Sequence, residues 1–326
     1  MRIRALVVIC VLITLVWSAP LSSAPPGWPA SLAIGTASPG GVYCDYGREL
    51  AAILTEALGI PVTAQSTQGS AQNAPLLEGG TVQLALVAMG TALRAWNGTG
   101  ESAGGKQLRS MRALVPMFGT PFQLVTFRDS GIHSFADLAN KRVGVGPAGG
   151  GSGTYGPLIF TALAVRATLR HGAWSMIGDQ MRSRQLDAMM TAIGVPAPVI
   201  AELDASQPLA FIEMTPSEIV TLRKAMPELN ATVMPAGTYP SQTEDYKTIG
   251  YFNFAVAHKN LPDDLVYAIV KAFFANHDRM IKVSPSARES VVENAKLITD
   301  IPFHPGAARY YREIGVQLPK GLVSTN

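Results

Sequence analysis

The stretch Val143–Gly156, VGVGPAGGGSGTYG, places seven glycines in fourteen residues between an apolar strand and the start of a helix. Gly144, Gly146 and Gly149 have the spacing of a dinucleotide fingerprint, but Pro147 removes one of the amides a phosphate would use. No Lys follows the glycines, as a phosphate-binding loop requires. Gly150-Gly-Ser152-Gly-Thr154 departs from the nucleophile-elbow pattern at its last position. What survives is a glycine-rich helix N-terminus. Its first N–H groups lack intrahelical partners, its dipole favours negative charge, and missing Cβ atoms permit close approach. The bland alternative is a flexible cap that holds nothing.

A second loop of this kind lies about 110 residues earlier, where Leu32–Ile34 runs as a strand into Gly35–Gly41 and then a helix over Tyr43–Leu58. Around it the pattern predicts strands at Pro61–Ala64 and Val82–Val87. A polar turn at Gln68–Asn73 leads to a short helix near Leu76–Glu78. Two strands follow, Leu114–Met117 and Phe122–Phe127, and then the plan restarts. Arg142–Val145 reads as a strand, Thr154–Leu169 as a helix, Gln185–Met190 as helix or strand, and Ala192–Ala201 as a loop. Leu209–Ile212 reads as a strand and Pro216–Met226 as a helix capped by Thr215. A late strand at Ile249–Ala257 and helices at Pro262–His277, Ser286–Leu297 and Pro305–Ile314 complete an α/β chain.

Of the 326 residues, 48% are apolar and 15% charged, ample for a core and poor in the basic runs that nucleic-acid binding needs. Arg2 and Arg4, the apolar run Ala5–Trp17 and the small residues Ser22-Ser23-Ala24 read as a signal peptide cleaved after Ala24. The run is 13 residues, against roughly 20 for a bilayer span. Cleavage leaves 24 basic and 23 acidic residues and a single cysteine, Cys44, so no internal disulfide is expected. Asp45 beside it disfavours a thiolate, and Cys44 reads as a small core residue. The five histidines lack metal-ligand spacing, His304 reads as a loop residue, and Trp174 reads as ordinary packing. No carboxylate pair stands out as acid and base, and no cofactor or metal is expected.

Several stretches together resemble the TAXI family, the extracytoplasmic solute receptors of TRAP-type (tripartite ATP-independent periplasmic) transporters. They are Ile34–Tyr43, Gln68–Asn73, Ser130–Leu138, Gly151–Thr154, Ala192–Pro198, Pro235–Pro240 with Asp245, and His304–Ala307 with Tyr310 and Tyr311. They keep the family's order from about residue 32 to 314. The resemblance implies a type II periplasmic binding protein fold, two α/β lobes around a central cleft, in a monomer that catalyses nothing. It implies a signal peptide over 1–24, lobe 1 over 25–116, lobe 2 over 117–248, and a return to lobe 1 over 249–326.

The implied ligand is a small carboxylate, a C4–C5 dicarboxylate or an amino acid such as glutamate or 2-oxoglutarate. The implied partner is a TRAP permease in the membrane. Carried over by position, Thr36, Ser38, Gly41 and Tyr43 line the cleft, with Gln68, Ser70, Asn73, Met89, Ser152, Gly153, Thr154, Gly194 and Pro196. Ser152-Gly153-Thr154 is expected to grip the carboxylate, so Ser152→Ala and Thr36→Ala are expected to weaken binding. The chain departs from the family at Ala37, Cys44 and Met89, and in its longer glycine run before Ser152. Two other readings stay open: a ligand-sensing module for a membrane signalling partner, and an exported hydrolase using Ser152 or Cys44.

Overall fold

The computed structural model describes residues 25–100 and 103–323. The expected signal segment, with its cleavage after Ala24, lies outside the described residues. The chain opens as β1 (Leu32–Gly35), α1 (Val42–Leu58), β2 (Val62–Gln65), α2 (Ser70–Glu78), β3 (Leu84–Ala88) and α3 (Met89–Asn97). β1 pairs in parallel with β2 and β3, so α1 and α2 are the crossovers of parallel strand–helix–strand units. Apolar residues at helical spacing on α1, from Val42 through Tyr46, Leu50 and Leu54 to Leu58, bury one face, and Gly59 ends the helix in the left-handed region.

β4 (Met111–Phe127) then leaves this unit and enters a second one. There lie β5 (Arg142–Gly146), α4 (Gly151–Ala162), β6 (Thr168–His171), α5 (Trp174–Arg182), β7 (Ala188–Ala192), α6 (Pro198–Ser206), β8 (Leu209–Phe211), α7 (Pro216–Ala225) and β9 (Asn230–Met234). β10 (Tyr246–His258) returns antiparallel to β4 and pairs with β3. α8 (Asp263–Ala275), α9 (His277–Val283) and α10 (Pro305–Glu313) close the chain; α8 and α9 pack on α1, and α10 packs on α8. The strand order is β2-β1-β3-β10-β4-β7-β5-β6, with β8 on β4 and β9 on β10. The two lobes are therefore joined by two long antiparallel strands. The expected lobe boundaries, 117 and 249, fall inside these strands rather than in linkers.

The departures from the sequence reading have local causes. The two strands expected at Leu114–Met117 and Phe122–Phe127 are one, β4, which runs on through Gly119 and Pro121. Pro116 faces Phe254 beside a register shift in β10, where a missing N–H costs little ladder bonding. α4 begins at Gly151 and stops at Ala162, because the chain turns at Ala164 with φ 55° and starts the unforeseen β6. α3, α5, α6 and β9 were also unforeseen. α6 starts in the expected loop, with Pro198 in its first turn. Ser286–Leu297 is not one helix. Ser290 donates to the Met117 carbonyl on β4, and two 3-10 turns, Pro285–Glu289 and Val292–Leu297, flank that anchor. Thr215 does cap α7, in a reciprocal capping box with Glu218. His304 lies outside any helix or strand, as expected, but it is fully buried, and its Nδ1 accepts the Gly306 N–H at the start of α10. Among the described residues no helix is long and apolar enough to cross a membrane.

Candidate functional site

Four helices begin where the lobes meet, and none of these starts carries a side-chain cap. The N-cap positions of α1, α2 and α4 are Gly41, Gly69 and Gly150, and that of α3 is Ala88. Such ends leave amides without intrahelical partners. Among the described residues the N–H groups of Val42, Tyr43, Ser70 and Gly151 have no protein acceptor. All four residues line one partly open cavity of about 50 Å³.

The lobes close on this cavity through backbone. The Ala71 N–H of α2 donates to the Gly149 carbonyl at 2.9 Å, across the lobe boundary. Gly69, at φ 113°, brings its backbone so near Gly150 that a Cβ there would lie 3.1 Å from the Gly150 Cα. A Cβ at Gly151 would overlap the Tyr251 hydroxyl. Trp174, at the first position of α5 in lobe 2, covers Gly40 and Gly41 of lobe 1 and is 5% exposed. Its indole N–H has no partner among the described residues, and its ring lines the cavity.

The hinge strands supply the remaining wall. Tyr43 donates its hydroxyl to Asn253 Oδ1 at 2.6 Å, and Asn253 Nδ2 donates to the Phe118 carbonyl and to Thr120 Oγ1. Burial holds the Tyr43 phenol well above its usual range, as do Tyr251 and Tyr46 nearby. Burial likewise raises Tyr251, whose hydroxyl donates to the Ala192 carbonyl. Both phenols stay neutral and act as hydrogen-bond groups. No Lys, Arg, Asp, Glu or His lines the cavity among the described residues.

The structure divides the thirteen residues singled out from sequence. Gly41, Tyr43, Gln68, Ser70 and Gly194 line the cavity. Thr36 is buried and donates to the Gln65 carbonyl; Asn73 is fully buried and ties the Gly35, Thr36 and Leu86 carbonyls together. Ser152 is fully buried, and its hydroxyl donates to the Val145 carbonyl, pinning α4 to β5. These three side chains build the loops rather than face the cavity, because short hydroxyls and amides at a helix start reach neighbouring carbonyls first. The Ser38 hydroxyl is buried without a partner and does not reach the cavity wall. Gly153 and Thr154 line a separate outer groove, Met89 lines a groove on another side of the hinge, and Pro196 lines neither.

The hydrolase reading has no geometry behind it. The Ser152 hydroxyl is committed to a carbonyl, and burial raises the Cys44 thiol, which is 3% exposed. Missed from sequence were Trp174, Tyr251, Asn253 and Thr120. Asn253 alone left a signal, as a lone amide in the apolar run Tyr251–Ala257.

A second contact joins the lobes outside the cavity. Arg94 of α3 donates from Nε and one terminal nitrogen to Glu228 Oε1, at 2.8 and 2.6 Å, and the Tyr155 hydroxyl of α4 donates to the same oxygen at 3.1 Å. Burial works against the Arg94 charge, but its contacts with Glu228 and Tyr155 outweigh that and hold its pKa above the usual value.

The sequence profile of the NMT1-like family matches residues 34–315. The chain belongs to the NMT1-like family. Among solved structures this NMT1-like chain is similar to the periplasmic binding protein BugD, at 13% identity and a TM-score of 0.55, over 90% of this chain and 100% of that one. It is also similar to a periplasmic transporter, at 13% identity and a TM-score of 0.51, over 87% and 92%. A protein from Bordetella bronchiseptica RB50 matches at 17% identity and a TM-score of 0.50, over 91% and 95%. These likenesses bear on fold. Together with the strand order they make it a type II periplasmic binding protein fold, an α/β architecture with a ligand cleft between two lobes.

Proposed function

We propose that this NMT1-like protein is an exported receptor that captures a small carboxylate by closing its two lobes, and delivers it to a TRAP-type membrane permease. One observation carries the reading. Uncapped helix N-termini from both lobes converge on one partly open cavity that no charged side chain lines among the described residues. Each such end carries about half a positive charge and free N–H donors, which suits an anion held by backbone rather than by Arg or Lys. The cavity sits outside strand ends, where open α/β sheets place their ligands.

Export after cleavage near Ala24 is part of the proposal. It is supported by the basic, apolar and small-residue pattern of residues 1–24 and by the periplasmic setting named for the similar structures. The lobe exchange near residues 117 and 249 is also proposed. It puts β4 and β10 at the hinge, where a few residues absorb the closing motion. The C4–C5 dicarboxylates and glutamate-like acids implied by the TAXI resemblance form the first ligand panel.

The test is calorimetric titration of purified protein that has been unfolded, dialysed and refolded to strip any carried-over ligand. Saturable binding of a small carboxylate, with a rise in melting temperature as mass action requires, is expected. A broad panel of small acids that yields neither signal refutes the receptor reading.

A further inference from the structure

We infer that the cavity takes a compact acid without an ammonium group and rejects the corresponding α-amino acid. This inference rests on the receptor reading above and narrows it.

The free groups that the helix starts and Trp174 bring to the cavity are donors. The Val42, Tyr43, Ser70 and Gly151 amides come from three helices in two lobes, and the Trp174 indole N–H joins them. An ammonium needs acceptors, and most acceptors along the wall already serve protein donors, the exposed Gln68 amide oxygen and the Gly194 carbonyl excepted. Asn253 Oδ1 takes the Tyr43 hydroxyl, Thr120 Oγ1 takes the Asn253 amide, and Ser70 Oγ takes the Ala88 N–H at 2.6 Å. The Ala192 carbonyl takes the Tyr251 hydroxyl, the Ile193 carbonyl takes the Gln123 amide, and the Pro147 carbonyl takes the Gly150 N–H.

No carboxylate compensates. Glu228 is bonded to Arg94 and Glu289 to the Gly119 N–H, and neither lines the cavity. A buried cation with no opposite charge and few free acceptors recovers little of its lost hydration. The converging helix dipoles add repulsion, since all present their positive ends. The cavity is small, about 50 Å³ or about four water-sized groups, which limits the ligand's size but does not separate the members of an equal-carbon pair.

Matched pairs of equal carbon count test this in the refolded protein by calorimetry: pyruvate against L-alanine, succinate against L-aspartate, 2-oxoglutarate against L-glutamate. In at least one pair the ammonium-free acid is expected to bind at least about tenfold tighter. Ala37, on the cavity wall, gives the second arm. Ala37→Asp supplies the missing negative charge and is expected to shrink that ratio, whereas Ala37→Asn, of the same shape, is expected to leave it. Ala192→Asp repeats the arm from the other lobe, should the first variant lose its wild-type melting temperature.

An amino acid that binds as tightly as its partner overturns the inference and leaves the receptor reading intact. A ratio that ignores the new carboxylate in a folded variant also overturns it. Silence from both members of every pair refutes the receptor reading, and the inference with it.

Discussion

The two lobes touch in two places built from opposite chemistry. Around the cavity the contact is backbone on backbone, Gly69 against Gly150 with Trp174 over Gly41, and it carries no charge. Outside the cavity, Arg94, Glu228 and Tyr155 make a charged, partly solvated contact. The first can sense a ligand, because its donors and its fit change when the space between them is filled. The second can only bias the lobes toward closure. On the proposed reading, this design separates recognition from the strength of closing.

Four variants break or sharpen that distinction. Trp174→Ala strikes the cavity side hardest. It removes a nearly buried indole that seals the mouth, and a loss of about 3–5 kcal/mol in unfolding free energy is expected from such a truncation, with carboxylate binding abolished. Chemical denaturation and titration read both. Gly69→Ala comes next. Its backbone sits at φ 113° and the added Cβ meets Gly150 at 3.1 Å, so about 1–3 kcal/mol of strain is expected. The strain falls on the closed form, and affinity should drop more than thermal stability does.

Glu228→Gln tests the charged contact. Glu228 is 12% and Arg94 30% exposed at the side chain, so solvent weakens the pair and about 1 kcal/mol is expected. Affinity should fall about fivefold while the ranking of ligands stays the same. Part of the salt dependence of binding should disappear with the charge. A changed ranking would place Glu228 in recognition and erase the distinction. Ser152→Ala has the smallest expected effect on binding. Its hydroxyl bonds the Val145 carbonyl, so about 1 kcal/mol of stability is expected to go with affinity unchanged. A large loss of affinity would restore the side-chain grip expected from sequence.

That last variant marks what was legible in the sequence. The strand–glycine loop–helix units were legible because glycine runs and apolar periodicity are local signals. They placed β1, α1 and β5 and the starts that point at the cleft. The order of motifs carried the two-lobed architecture. Which groups face the ligand was not legible. Ser152, Thr36 and Asn73 look like ligand donors in sequence, but they serve carbonyls contributed by β1, β2, β3 and β5. Pairing across tens of residues decides that, and composition does not encode it. Trp174 and Asn253 reach the cavity through helix placement and strand register, so neither carried a nearby motif.

The neutral wall of the cavity has a consequence for where the protein can work. Among the described residues no side chain that changes charge between about pH 5 and 8 lines it, and its two phenols titrate above their usual range. Hold on a fully ionised acid should therefore be level across that span. Outside a cell, acidity follows the surroundings rather than metabolism. A binder of this kind would report how much acid is present and stay deaf to the pH it arrives in.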